Sequence, residues 1–191
     1  STLLASSAAS DVYKRQDDER QQGRSINVEF NGELRPEQNK ALKELTKYDN
    51  GILHAATAFG KTVVSSAIIA QKKVNTLIIL ESSALIEQWK DALEKFLNID
   101  EELPSYKTKT GRVRKRKSLI GTLQGAHDSM TGIVDIAMVG SLCKKGEFHN
   151  LLNDYGLVLI DECHHAASDT ISNVLKEVKA KYVYGLSLIH I

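Results

Sequence analysis

Two clusters of residues in this 191-residue chain carry groups able to act on a phosphate chain. The first is Ala55-Ala56-Thr57-Ala58-Phe59-Gly60-Lys61-Thr62. A short apolar run, Gly51 to His54, leads into it, and an apolar helical pattern, Val63 to Ala70, leads out. Strand, small-residue loop, Gly-Lys-Thr and helix together make an anion cradle. Backbone N–H groups of Thr57, Ala58, Phe59 and Gly60 and of the helix start turn inward, and the helix N-terminus adds partial positive charge. Lys61 would reach the β- and γ-phosphates of a nucleotide, and the Thr62 hydroxyl would ligate Mg²⁺. The common pattern G-x-x-x-x-G-K-[ST] has Ala55 in place of its first glycine, which gives up easy access to positive φ. Alone, so loose a pattern needs support from elsewhere in the chain.

That support is Asp161-Glu162, which follows the apolar run Leu157 to Ile160. Parallel strands place their carboxyl ends along one sheet edge, where ligands bind, so the loop and the acidic pair would face each other. Asp161 would hold Mg²⁺ through water, and Glu162 would orient and deprotonate an attacking water. Lys61, Asp161 and Glu162 are therefore the expected catalytic set, with Thr62 and Asp161 on the metal. The adjoining Cys163-His164-His165 does not read as a zinc site. Three consecutive side chains do not converge easily on one metal, and the sequence holds no second ligand cluster. A histidine here, His164, is read instead as a link between the nucleotide site and the next strand or a partner domain.

The elements that must position these groups alternate. Ile26 to Phe30 reads as a short strand and Asn31-Gly32 as a turn. Pro36 suits a first helical position, with Ala41, Leu42 and Leu45 as the apolar stripe. Thr76 to Leu80 reads as a strand buried on both faces. A serine after Glu81 is placed to cap a helix over 84–97, in which Trp89 falls on the core stripe rather than on a ligand platform. Leu119 to Gly121 and Val134 to Val139 read as strands, 124–132 as a loop, and 142–154 as a helix or broken helix. A helix over 170–179 and a last strand from Tyr182, cut short at Gly185, complete the chain. Asp17 to Arg24 reads as a polar, flexible lead. The pattern predicts an α/β domain, a mostly parallel sheet with helices on both faces.

Between Tyr106 and Lys117 the chain is densely basic, with Thr110-Gly111 as a turn signal. Two readings stand: a solvated loop, or a loop touching a nucleic-acid backbone through Arg112, Arg114 and Lys115. The net charge of +1 favours neither, since any basic face must be local. Cys143 and Cys163 lie in no C-x-x-C pattern, which predicts a reducing, cytoplasmic setting, and no apolar run is long enough to span a membrane.

The ends carry a coding signature. Asp11-Val12-Tyr13-Lys14-Arg15-Gln16 can be encoded as gat gtg tat aag aga cag, whose reverse complement translates as Leu186-Ser187-Leu188-Ile189-His190-Ile191. Both hexapeptides are readings of one DNA segment, which resembles a transposon end used to fragment DNA for sequencing libraries. On this reading residues 1–16, with the scar at 11–16, and residues 186–191 are not native. Residues 17–33 are then an N-terminal segment, and 34–185 the functional domain.

The chain resembles the first RecA-like domain of superfamily 2 helicases and translocases. Gly60-Lys61-Thr62 is similar to motif I, and Asp161-Glu162-Cys163-His164 to motif II in its D-E-x-H form. The D-E-C-H-H version resembles the helicase subunits of type III restriction enzymes and related DNA repair helicases. Leu34-Arg35-Pro36-Glu37-Gln38 looks like their L-R-P-x-Q segment, which implies that Gln38 reads the adenine edge with Arg35 beside it. Leu80 to Trp89 resembles motif Ia, with Ser82-Ser83 where Pro-Thr is frequent, and Gly140-Ser141-Leu142 sits where a DNA-backbone motif falls. The resemblance implies a P-loop NTPase fold, ATP and Mg²⁺ as cofactors, and movement along nucleic acid, DNA ahead of RNA, touched at Ser83 and Ser141 without sequence readout. It also implies a second RecA-like domain carrying an arginine finger, which this chain lacks, so the fragment alone should not unwind. Two alternatives remain at this point: another P-loop ATPase, or a fragment that binds nucleotide or nucleic acid without turnover.

Overall fold

Strict alternation within the short apolar runs decides how the layers form. The computed structural model describes residues 20–56, 59–162 and 169–188. The elements before the basic segment are β1 (Val28–Phe30), α1 (Pro36–Leu45), β2 (Asn50–Ala55), α2 (Lys61–Lys72), β3 (Thr76–Leu80), a 3-10 turn (Ser83–Leu85), α3 (Ile86–Phe96) and β4 (Leu97–Ile99). Then come β5 (Ser105–Lys107), β6 (Val113–Lys115), β7 (Ile120–Gln124), β8 (His127–Asp128), β9 (Val134–Met138), α4 (Val139–Leu142), β10 (Cys143–Lys144) and β11 (Glu147–Phe148). The chain closes with β12 (Leu157–Asp161), α5 (Asp169–Glu177) and β13 (Tyr182–Leu188).

Seven strands form the central sheet in the order β2-β13-β12-β3-β9-β7-β8. Every neighbouring pair is parallel except β7 and β8. All five residues of β3 are buried, and successive side chains serve opposite layers. Ile78 and Leu80 join one core with Leu42 and Leu45 of α1, Ile68 and Ile69 of α2, and Trp89 and Leu93 of α3. Leu77 and Ile79 join the other with Leu142 of α4 and Ile171 and Val174 of α5. Leu157 and Leu159 of β12 face the first core, Val158 and Ile160 the second. Helices therefore cover both faces, as the sequence pattern requires for a parallel sheet.

Several local expectations are corrected. The stretch 142–154 is not a helix beyond the single turn of α4. It forms the β10–β11 hairpin, because Lys145 and Gly146 both take positive φ (51° and 79°), the two-residue turn that joins antiparallel strands. No serine caps the helix after β3. A 3-10 turn intervenes, and neither it nor α3 has a side-chain cap bond. That helix also stops at Phe96, since Leu97 to Ile99 peel off to pair with β1. The presumed loop 124–132 contains β8. The lead segment is docked from Gln21 onward: Gln21 bridges Ala180, and Arg24 N–H donates to Asn75 Oδ1 at 2.8 Å. Finally, β13 does not stop at Gly185. It pairs with β2 through Leu188, with Leu186 and Ser187 buried.

Candidate nucleotide site and nucleic-acid face

At the carboxyl end of β2 the chain turns through Phe59 and Gly60 into α2. Gly60 is the N-cap residue at φ 83°, a left-handed conformation in which a side chain is strained. A Cβ there would lie 2.7 Å from Gln38 Nε2 and 3.1 Å from Val63 Cγ1. This is a close backbone turn that only glycine fills without displacement. Lys61 and Thr62 open α2, so their N–H groups belong to the unpaired first turn of a helix.

Sheet order brings the two sequence clusters together. One strand, β13, separates β2 from β12, and Lys61 reaches across it. Its Nζ lies 2.7 Å from Asp161 Oδ1 and 3.4 Å from Glu162 Oε1. Asp161 is only 2% exposed, at the last position of β12. Its Oδ1 also accepts the Glu162 N–H at 2.9 Å, and its Oδ2 accepts the indole Nε1–H of Trp89 at 2.9 Å. Glu162 takes φ 58°, unusual for a residue with a side chain, and this turns it out of the strand direction that Asp161 keeps.

Sequence reasoning placed Trp89 in the core, and it is there, 1% exposed. What periodicity did not signal is its second function as a hydrogen-bond donor to Asp161 from a position 72 residues away. A stripe of apolar residues says which side faces inward, not which carboxylate the indole meets. Buried Trp N–H groups as a class do find partners.

Gln38 and Arg35 clasp the loop. Gln38 is 4% exposed; its Nε2 donates to the Phe59 carbonyl at 2.6 Å and its Oε1 accepts the Arg35 N–H at 2.8 Å. The Arg35 guanidinium donates to the same carbonyl at 2.9 Å. Thr57, Ala58 and His164 lie outside the described residues.

The donor set fits a hard divalent cation. A buried carboxylate, a hydroxyl in the first turn of α2 and a glycine-only cradle are the oxygen and backbone groups that Mg²⁺ shares with phosphates. Among the described residues no three His, Cys, Asp or Glu side chains cluster as a self-sufficient metal site.

Further along the same edge, Ser83 follows β3 and is exposed. Ser141 follows β9, and its Oγ accepts the Gly125 N–H at 2.9 Å in the β7–β8 turn. These two lie apart from Lys61 in sheet order: β2, β13 and β12 carry the Lys61–Asp161–Glu162 cluster, and β3 and β9 precede the serines. Arg112, Arg114 and Lys115 lie on the tip and second strand of the β5–β6 hairpin, all exposed.

Comparison with known proteins matches this arrangement. The DNA 3'-5' translocase XPB2 of Sulfurisphaera tokodaii is 31% identical over 155 residues, covering 81% of this chain and 30% of that protein. The UvsW helicase from bacteriophage T4 superposes with a TM-score of 0.61 at 18% identity, covering 95% of this chain and 60% of that one. The Sulfolobus solfataricus SWI2/SNF2 ATPase core in complex with dsDNA superposes with a TM-score of 0.58 at 16% identity, covering 87% and 34%. The chain thus spans only part of each, and its fold is the RecA-like one they share. No described helix is long and apolar enough to cross a membrane. A family model for the type III restriction enzyme res subunit matches from Asn31 to Ser187, a span that holds both sequence clusters and all of the central sheet but Leu188, and the chain belongs to that family.

Proposed function

We propose that this chain is the ATP-binding RecA-like domain of a cytoplasmic ATP-dependent helicase or translocase that moves on DNA in preference to RNA. The observation that carries the reading is the meeting of Lys61 with Asp161 and Glu162, at 2.7 and 3.4 Å, across an intervening strand. An ammonium between two carboxylates leaves one net negative charge, a site that a divalent cation with its triphosphate can enter by exchange of partners. Lys61 would pass to the phosphates, and Asp161 with Thr62 would hold Mg²⁺. When bound, Mg²⁺ neutralises charge on the transferred phosphoryl group. Glu162, turned out by its backbone, would orient the attacking water and accept its proton. Gln38 would meet the adenine edge: its amide has a second N–H and a second lone pair beyond those given to Phe59 and Arg35. His164 would couple the site to a neighbouring domain. Nucleic acid would cross the edge at Ser83 and Ser141, touched through phosphates.

A second RecA-like domain, with its arginine finger, would complete the motor; such an arginine contributes several orders of magnitude in related phosphoryl transfer. The isolated chain is therefore expected to bind Mg²⁺·ATP weakly, with negligible unwinding. Titration calorimetry tests the site. Lys61→Ala should abolish Mg²⁺·ATP binding, and unchanged binding would remove the assignment. In the complete protein, Glu162→Gln should keep nucleotide binding and lower turnover by about 10²-fold or more.

A further inference from the structure

The densely basic segment has no part in the nucleotide chemistry. Between Tyr106 and Ser118 the chain carries seven lysines and arginines and no carboxylate, against a net charge of only +1 for the whole. In the structure it is an ordered ribbon. Strands β5 and β6 pair antiparallel, with Ser105 opposite Lys115 and Lys107 opposite Val113. Gly111 at φ 83° closes the turn, and the Thr108 hydroxyl accepts the Arg112 N–H at 3.1 Å.

Arg116 anchors the ribbon to the body. Its guanidinium lies 4.0 Å from the Tyr106 ring centroid and donates to the carbonyls of Met130 and Asp128 at 3.1 and 3.2 Å. The other cations of the segment enter no ion pair among the described residues. Where the ribbon meets the β7–β8 edge it walls a cleft of about 430 Å³. Lys115 and Lys117 line it from the ribbon, Lys90 from α3 and His127 from β8. The cleft's carboxylate, Asp128, is already paired with His149 Nε2 at 2.8 Å. Three lysines from two independent elements thus converge without a free counter-charge, an arrangement that an anion relieves.

The position indicates which anion. Ser83, Ser141 and the Gly125 turn follow β3, β9 and β7, which are successive strands. The ribbon stands on the flank of the same sheet, beside its outermost strand: Arg116 reaches the carbonyls of Asp128 in β8 and of Met130 just after it. We infer that the β5–β6 ribbon and Lys90 form a second nucleic-acid contact. It grips the phosphodiester backbone beyond the stretch crossed by Ser83 and Ser141. This rests on the nucleic-acid reading above and extends it to a surface that none of the helicase-like segments includes.

Salt dependence of binding tests it. Fluorescence anisotropy of labelled single-stranded and duplex DNA is measured against the 191-residue chain over a KCl series. The comparison is with Lys90→Ala/Lys115→Ala/Lys117→Ala and with the exposed pair Arg112→Ala/Arg114→Ala. The triple variant should bind at least about tenfold more weakly at low salt. Its slope of log K against log[salt] should shrink by about 2–3, since each neutralised phosphate contributes about 0.9 on duplex and 0.7 on single strands. The pair should lose up to about 2 in slope. Melting and Mg²⁺·ATP binding should not change in either. If the wild-type chain binds and both variants keep its affinity and slope, the ribbon contact is wrong while the nucleic-acid reading stands. If the wild-type chain binds neither DNA, both fall together.

Discussion

Asp161 shows how much a single carboxylate is asked to do. It is buried, and it receives an ammonium, a backbone N–H and an indole N–H. The indole is the one neutral side-chain donor of the three, and both it and the carboxylate are buried. Trp89→Phe keeps an aromatic ring in the core, removes the donor and leaves the small space of the lost pyrrole ring. A hydrogen bond to a charged group contributes about 1.5–3 kcal/mol, so the substitution should cost about 2 kcal/mol in urea denaturation followed by circular dichroism. Mg²⁺·ATP affinity should fall severalfold, since Oδ2 is then free to swing. An unchanged midpoint together with unchanged affinity would show that the bond does neither. At this scale the sequence was most legible where residue type itself is the chemistry. That Lys61 should face Asp161 and Glu162 could be anticipated from type and spacing, and these three do meet. Trp89 could not be assigned to Asp161, because the contact is made by tertiary packing of α3 against β12 and leaves no local pattern.

Among the elements, those defined by apolar periodicity were readable, and those defined by polar partners were not. Strands β3, β9 and β12 follow from runs of buried aliphatic residues. The docked lead segment does not, because its order comes from Asn75, a single buried amide. Asn75 Oδ1 accepts the Arg24 N–H at 2.8 Å and the Gly156 N–H at 3.1 Å, and its Nδ2 donates to the Asp154 carbonyl at 2.8 Å. Backbone packing adds to this. A Cβ on Gly23 would fall 2.5 Å from the Gly156 backbone, so only two glycines let these strands of chain touch. Asn75→Ala leaves the Arg24 N–H and the Asp154 carbonyl without their partner, a loss expected to cost about 2–3 kcal/mol. Hydrogen exchange should accelerate at Arg24 while the amides of β3 keep their relative protection; equal acceleration across the sheet would mean that Asn75 serves the whole fold instead. Strand β13 teaches a related lesson. The coding signature placed a boundary after Gly185, yet a parallel ladder asks only for backbone and an inward apolar side chain, and Leu186 supplies both.

Taken whole, the molecule sets its charged cluster and its proposed strand contacts at different places on one sheet. The Lys61–Asp161–Glu162 cluster gathers at β2, β13 and β12, the proposed serine contacts follow β3 and β9, and the ribbon stands beside β8. The sequence foresaw the parallel sheet and its two covered faces, because alternation and run length encode them. It did not give strand order, which depends on which crossovers bury most surface and is written in no single segment. The α3 helix bridges the two places: the turn at its start carries Ser83, and two turns later Trp89 meets Asp161. That placement has a practical consequence. Trp89 is the chain's one tryptophan, so all indole fluorescence comes from a ring that shares a hydrogen bond with the carboxylate at the centre of the site. Indole emission shifts with the local electric field. Saturating Mg²⁺·ATP should therefore change its wavelength or intensity in the wild-type chain and leave it unchanged in Lys61→Ala, a silent response in the wild type being the failing result. The same emission can be followed as a nucleic-acid strand is added, so one buried ring serves as an optical reporter of both proposed ligands.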